Sequence, residues 1–294
     1  MKGKQQLLRE LISWGQQHNA VRAMLLTSSR ANPTAPVDLF TDHDIDLVVE
    51  DHTAFLADDS WLSTFGDIMA VIVEEEEVFD GACASRMVLY DDYTKIDFLI
   101  FSIEQFNNRA ELPLLHEDWD IGYEVLLDKD GLTAMLPPPS YKSFTIQPPD
   151  EQRYLHVITE VWWDMSYAAK CLWRDEIFYA KLMTETMMRF EKLQYIIEWY
   201  IAMQHSWQVT TNKYGRLFKK YLDSNTWNKT LATFSDADIE GNWNALFAYA
   251  ELVRELGTAI ADNLGFSYPQ ELDRKMMVYL EKVRKLDRNA TDIV

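Results

Sequence analysis

The sequence predicts an α+β protein in two parts, an N-terminal mixed sheet with helices followed by a C-terminal helical bundle. Three observations predict it. Apolar runs of strand length recur between residues 21 and 127, separated by turns and short helical stretches. Residues 136–150, L-P-P-P-S-Y-K-S-F-T-I-Q-P-P-D, then hold five of the nine prolines. Proline removes backbone donors and stiffens an extended path, so this stretch reads as a linker. Beyond it, apolar residues fall at helical spacing and no alternating strand pattern appears. The division is therefore 1–135, a linker 136–150, and 151–294.

Residues 5–18 read as a helix, with Leu7, Leu8, Leu11, Ile12 and Trp14 on one broad face. Val21 to Leu26 and Asp44 to Val49 read as strands, with a helix over 53–65 after them. Ile68 to Val73, Met87 to Tyr90, Ile96 to Phe101 and Val125 to Leu127 read as further strands, and D-K-D-G (128–131) as a turn. Glu74 to Glu77 reads as a solvated hairpin end. In the second part, one stripe is Val157, Val161, Met165, Ala168 and Leu172. A second is Leu182, Phe190, Leu193 and Ile197, and a third runs from Leu246 through Val253 to Ile260. Together they predict a bundle.

The composition is that of a globular protein, 48% hydrophobic and 26% charged over 294 residues. The formal net charge of −19 repels nucleic-acid phosphates and attracts a polycationic small molecule, while also serving solubility. Cys83 and Cys171 form no Cys-x-x-Cys pair, which speaks against a zinc site or a disulfide framework. The N-terminus lacks the apolar core of a signal peptide and no run approaches a membrane span, so a cytoplasmic, reduced protein is expected.

The chemistry concentrates in residues 27–46, T-S-S-R-A-N-P-T-A-P-V-D-L-F-T-D-H-D-I-D. A polar turn, Ser28-Ser29-Arg30, follows the first strand. Asp42, Asp44 and Asp46 then stand at strand spacing, which aims them to one face and His43 to the other. Crowded carboxylates repel unless cations lie between them, and oxygen-only ligands suit a hard cation such as Mg²⁺. A turn of small residues can offer backbone N–H groups to phosphate. Asp97 sits inside the apolar run 93–101, where a lone carboxylate is costly unless paired or ligated. If its strand lies beside that of Asp42 and Asp44, the three complete a carboxylate triad. Arg30 suits the β- and γ-phosphates of a nucleotide, or a salt bridge to the acidic face. Lys213, Lys219 and Lys220 either reach a triphosphate or lie on a solvated helix face, and Lys170 and Arg174 share that ambiguity. Trp162, Trp163 and Trp173 stack on a ligand ring or, as large aromatics mostly do, fill core.

These residues resemble a known family. A serine-rich turn, an Asp-x-Asp and a later Asp on a neighbouring strand resemble the polymerase-β-like nucleotidyltransferases. More narrowly, S-S-R-A-N-P…D-L-F-T-D-H-D-I is similar to the G-S-R-x-N-P…D-x-F-x-D-Y-D-I segment of aminoglycoside 6-adenylyltransferases. K-I-D-F (95–98), I-G-Y-E-V-L-L-D-K-D-G (121–131), V-W-W-D-M-S-Y-A-A-K-C-L-W-R-D-E (161–176) and N-K-Y-G-R-L-F-K-K-Y-L (212–222) resemble later segments in order. The family turn has Gly where this chain has Ser28, and the family pattern ends at Ile45, which leaves Asp46 outside it.

The resemblance implies a nucleotidyltransferase-type sheet domain and a helical substrate- and nucleotide-binding domain, with substrates in the cleft between them. It implies transfer of AMP from Mg-ATP to an aminoglycoside hydroxyl, the 6-hydroxyl of streptomycin, giving antibiotic resistance. Asp42, Asp44 and Asp97 are the implied Mg²⁺ ligands, and Asp97 is alternatively the base for the acceptor proton. Ser28, Ser29, Arg30 and Lys213 are the implied nucleotide-binding residues. The alternatives are another small-molecule or protein acceptor, or a non-catalytic nucleotide-binding protein of the same fold.

Overall fold

A computed structural model describes residues 4–292. The chain forms two compact units, one ending at Phe144 and the other beginning at Thr145.

The first unit is an α+β sheet domain. Helix α1 (Lys4–Gln17) precedes strands β1 (Val21–Thr27) and β2 (His43–Val49). After α2 (His52–Leu56) come β3 (Ile68–Glu74), β4 (Ala84–Tyr90), β5 (Lys95–Ser102), helices α3 (Ile103–Ala110) and α4 (Glu117–Asp120), and β6 (Tyr123–Asp128). The six strands lie in the order β3-β4-β5-β2-β1-β6. All neighbours are antiparallel except β2 and β5, whose parallel register sets Asp44 opposite Asp97 and Ile45 opposite Phe98. Because side chains alternate, one sheet face carries Met24, Leu26, Ile45, Leu47, Phe98 and Ile100. It packs on Leu7 and Leu11 of α1 and on Phe55, Trp61 and Phe65. The opposite face carries Ala23, Leu25, Val48 and Phe101 under Phe106 and Trp119. The acidic side chains of β2 and β5 belong to this second face.

The helix expected over 53–65 is two pieces. The Asp51 side chain accepts from Ala54 N–H and starts α2, which stops at Leu56. The Asp58 carboxylate then caps a fresh 3₁₀ turn, Asp59–Phe65, at Ser60 N–H. Aspartates bonding nearby N–H groups split the segment while Trp61, Leu62 and Phe65 still reach the core. Glu74 to Glu77 is a hairpin end, but a bonded one: Glu74 accepts from Ser85, Glu75 pairs with buried Arg86, and Glu76 lies 3.2 Å from His52. Helix α3 has no counterpart in the expected elements, although its capping box, Ser102 with Gln105, is written in the sequence.

The second unit is helical. It contains α5 (Glu151–Trp173), α6 (Ile177–Lys181), α7 (Gln194–Gln204), α8 (Phe218–Tyr221), α9 (Ser224–Ala232), α10 (Ile239–Leu264) and α11 (Gln270–Lys285). The expected stripes of α5 and α10 are buried, as is Trp162, whose indole meets Tyr268 at 3.2 Å. Trp173 is half-buried, and Trp163 is 63% exposed, its ring 6.5 Å from that of Tyr167 one turn along α5. Of the stripe beginning at Leu182, Leu193 and Ile197 are buried, and Leu182 and Phe190 are not, for a geometric reason. Leu182–Leu193 is a π-helix, whose wider turn buries Met183, Met188, Arg189 and Lys192 and leaves Leu182 and Phe190 exposed.

Candidate active site

The parallel β2–β5 pair builds the site. Both strands start at the same end of the sheet, so their first acidic residues become neighbours: Asp44 on β2 and Asp97 on β5. Asp42 lies just ahead of β2, off the ladder. Lys95, the first residue of β5, holds the group together. Its ammonium donates to Asp97 Oδ2 at 2.7 Å and to Asp42 Oδ2 at 2.9 Å. The expected triad of Asp42, Asp44 and Asp97 is therefore brought to one place, with a lysine among them.

The electrostatics are those of crowded acids. Burial pushes the Asp44 carboxyl up to about 6, and Asp97 and Asp42 push it the same way. Burial also raises Asp97, against the pull of Lys95. Burial works against the Lys95 charge, but its bonds to Asp97 and Asp42 outweigh this and raise it. Asp97 Oδ1 is buried without a hydrogen-bond partner, which is costly for a carboxylate oxygen. Among the described residues, no three acidic, His or Cys side chains converge tightly enough to hold a metal ion as they stand. The donor chemistry nevertheless fits Mg²⁺: oxygen ligands only, an orphaned oxygen on Asp97, and repulsion that a cation relieves.

The serine turn sits beside these acids because Thr27, at the end of β1, pairs with Asp44 on one side and Tyr123 on the other. Ser28–Arg30 is a 3₁₀ turn, and Ser28 has φ of 62°, the left-handed region that favours glycine. The Ser28 side chain follows Thr27, the register partner of Asp44, and pulls the Asp44 carboxyl down against its burial. Its backbone N–H does not face outward as a phosphate cradle needs; it donates to Gly122 O at 3.0 Å. Arg30 likewise holds protein backbone, with Nε on Asp42 O at 2.9 Å and a terminal nitrogen on Thr41 O at 2.5 Å. It thereby ties the loop before β2 to the turn. Ser29 stands beside them in the same turn.

Asp46 shares the strand face of Asp44 but is sealed in, 2% exposed. It lies under Trp119, whose indole nitrogen donates to Asp46 Oδ2 at 2.6 Å. Burial pushes its carboxyl up to about 7, while the Trp119 bond and Arg109 pull it down. His43 is buried on the other face, as strand alternation requires. Lys213 lies in the second unit, in an exposed 3₁₀ turn, Lys213–Gly215, whose first N–H is capped by Asn212. Lys219 and Lys220 are exposed on α8. Lys170 rests over the Tyr167 ring at 4.0 Å, and Arg174 lies 3.9 Å from Glu176.

Three residues of this region carry no role in the sequence reading. Lys95 is visible there only as the first letter of K-I-D-F. Gly122 stands in I-G-Y-E. Trp119 has no local signal, since its partner lies 73 positions away.

A family model described as streptomycin adenylyltransferase matches residues 1–283. Aminoglycoside 6-adenylyltransferase of Bacillus subtilis (strain 168) is 28% identical over 287 residues, 96% of this chain and 98% of that protein. The enzyme of the same name from Campylobacter jejuni is 26% identical over 288 residues, 97% of each. The crystal structure of an aminoglycoside 6-adenyltransferase from Bacillus subtilis aligns with 97% of this chain and all of that one, at 23% identity and a TM-score of 0.48.

Proposed function

This chain belongs to the streptomycin adenylyltransferase family, and from that premise we propose that it transfers AMP from Mg-ATP to the 6-hydroxyl of streptomycin. That it is an aminoglycoside nucleotidyltransferase follows from the family and from full-length relatives of that name. ATP is the co-substrate that adenylyl transfer requires.

The observation that carries the reading is the register pair Asp44–Asp97 with Asp42 beside it. Asp42, Asp44 and Asp97 would hold Mg²⁺, which neutralises the triphosphate and acidifies the attacking hydroxyl when bound. The chain's own residues do the rest. Lys95 keeps Asp42 and Asp97 together and must release one of them for an ion to enter. The Ser28 side chain favours the ionised form of Asp44. In the transfer, the acceptor oxygen forms a bond to the α-phosphorus and the bond to the leaving pyrophosphate breaks. The hydroxyl proton passes to a carboxylate, and Asp97, raised by burial and with a free oxygen, is suited to take it unless it is committed to the metal. Ser29 and Arg30 are assigned to nucleotide phosphates, with the −19 charge favouring a cationic acceptor.

Mass spectrometry of streptomycin after incubation with the enzyme, ATP and Mg²⁺ tests the reading. A gain of one AMP is expected. No gain on streptomycin, while AMP is transferred to another acceptor, would discard the assigned substrate.

A further inference from the structure

Two carboxylates of one strand face, Asp44 and Asp46, are joined by a path that leaves the strand and returns. Asp46 Oδ2 accepts the Trp119 indole N–H at 2.6 Å. The Trp119 carbonyl accepts the Gly122 N–H at 3.0 Å. The Gly122 carbonyl accepts the Ser28 N–H, also at 3.0 Å. Ser28 directly follows Thr27, which pairs with Asp44 across β1 and β2 and whose hydroxyl donates to the Asp44 carbonyl at 3.4 Å, and the Ser28 side chain lowers the Asp44 carboxyl.

Each link is confined. Trp119 is fully buried, packed 5.1 Å from the Phe106 ring with the Arg109 guanidinium 5.2 Å over it. Gly122 has φ of 141°, and a Cβ there would stand 2.9 Å from Ala31 C and Asn32 N, the backbone that closes the serine turn. The turn is thus pressed and bonded from one side by the segment that Trp119 anchors. Ser28, held at φ of 62°, needs such external restraint, since an L-residue does not favour that conformation by itself.

We propose that Trp119, seated on Asp46, is a positioning residue for the nucleotide site: through Gly122 it holds the Ser28 turn in place and so aims Asp44. This rests on the reading of Asp44 and its neighbours as the Mg-ATP site. Asp46 then serves neither as a ligand nor as a bystander. It is the acceptor that fixes the rotation of the indole.

The test uses the full chain with two readouts. The first is hydrogen–deuterium exchange of the segment 27–32, which follows the Ser28 N–H without reference to activity. The second is the affinity for α,β-methylene-ATP in Mg²⁺, by isothermal titration. W119F removes the indole N–H and D46A removes its acceptor, so each tests the link if the other fails to fold. D46N keeps an acceptor oxygen. Expected are faster exchange over 27–32 and about a tenfold loss of nucleotide affinity, or ~1.4 kcal/mol, in W119F and D46A, with both recovered in D46N. Unchanged exchange in W119F and D46A overturns the relay. Faster exchange with unchanged affinity overturns the positioning role and leaves a structural one. Absence of analogue binding by the wild-type protein takes down the functional reading itself, whatever the exchange shows, and the positioning role with it.

Discussion

Burial and two neighbouring carboxylates hold Asp44 near 6, well above its ordinary 3.8. Between those values the folded chain keeps a proton that the unfolded chain has released. Its contribution to stability is therefore present below about pH 4 and is lost as pH rises through about 6. In EDTA at pH 8, Asp44→Asn is expected to stabilise the protein by roughly 1–3 kcal/mol, read as a higher melting temperature, while abolishing pyrophosphate release. A destabilised Asp44→Asn would show that the site is not crowded with negative charge. Lys95→Met should act in the opposite sense. It leaves Asp42 and Asp97 without their ammonium, and since Lys95 is 38% exposed the cost is about 1 kcal/mol after solvent screening. The gain in melting temperature on adding Mg²⁺ should exceed that of the wild type. Equal gains would mean that Lys95 and the ion do not compete. Ser28→Gly relieves a left-handed backbone but removes the side chain that favours the ionised Asp44. Net stability should change by less than about 1 kcal/mol, because glycine also loosens the unfolded chain. The acid limb of kcat/KM against pH should move upward, because the lost side chain had favoured the ionised carboxylate. An unmoved limb would remove the influence of Ser28 on Asp44 from the account.

At the scale of elements, the site depends on one parallel strand pair in a sheet otherwise antiparallel. Only a parallel pair starts two strands at the same end, so only β2 and β5 can present Asp44 and Asp97 side by side. The turn after β1 is then set from the β6 side. Gly122 permits that approach, and Gly122→Ala should cost more than about 1 kcal/mol and displace the turn, since a Cβ meets backbone rather than a flexible side chain. Chemical denaturation together with exchange over 27–32 would check it, and wild-type values in both would show that the turn yields freely. The π-helix Leu182–Leu193 makes a similar point in the helical unit. Its pitch decides which residues are buried, and a 3.6-residue stripe finds Leu193 and Ile197 but also selects the exposed Leu182 and Phe190.

For the whole molecule, the governing quantity is charge. A net −19 surrounds the protein with a potential that draws in cations. The apparent affinity for streptomycin should fall as ionic strength rises, since the Debye length shrinks from about 30 Å at 0.01 M to about 10 Å at 0.1 M. Measuring KM for streptomycin across that range checks it, and a flat profile would confine the attraction to direct contacts. Among the described residues, no helix is long and apolar enough to cross a membrane.

The sequence by itself determined the α+β-then-helical order, the strands that became β1 to β6, and the acids of the candidate site. These are local properties: alternation in a strand, stripes in a helix, and a carboxylate too costly to bury alone. Asp97 was legible because an unpaired acid in an apolar run demands a partner. Tertiary structure alone decided the rest. It chose Asp46 for burial under Trp119, put Lys95 between Asp42 and Asp97, and turned the Ser28 N–H inward to Gly122. None of these follows from spacing, because each needs a partner from an element distant in sequence: Trp119 for Asp46, Asp42 for Lys95 and Gly122 for Ser28. The Lys95 bridge exists only once β5 lies beside β2, and the Gly122 contact only once β6 has closed against β1.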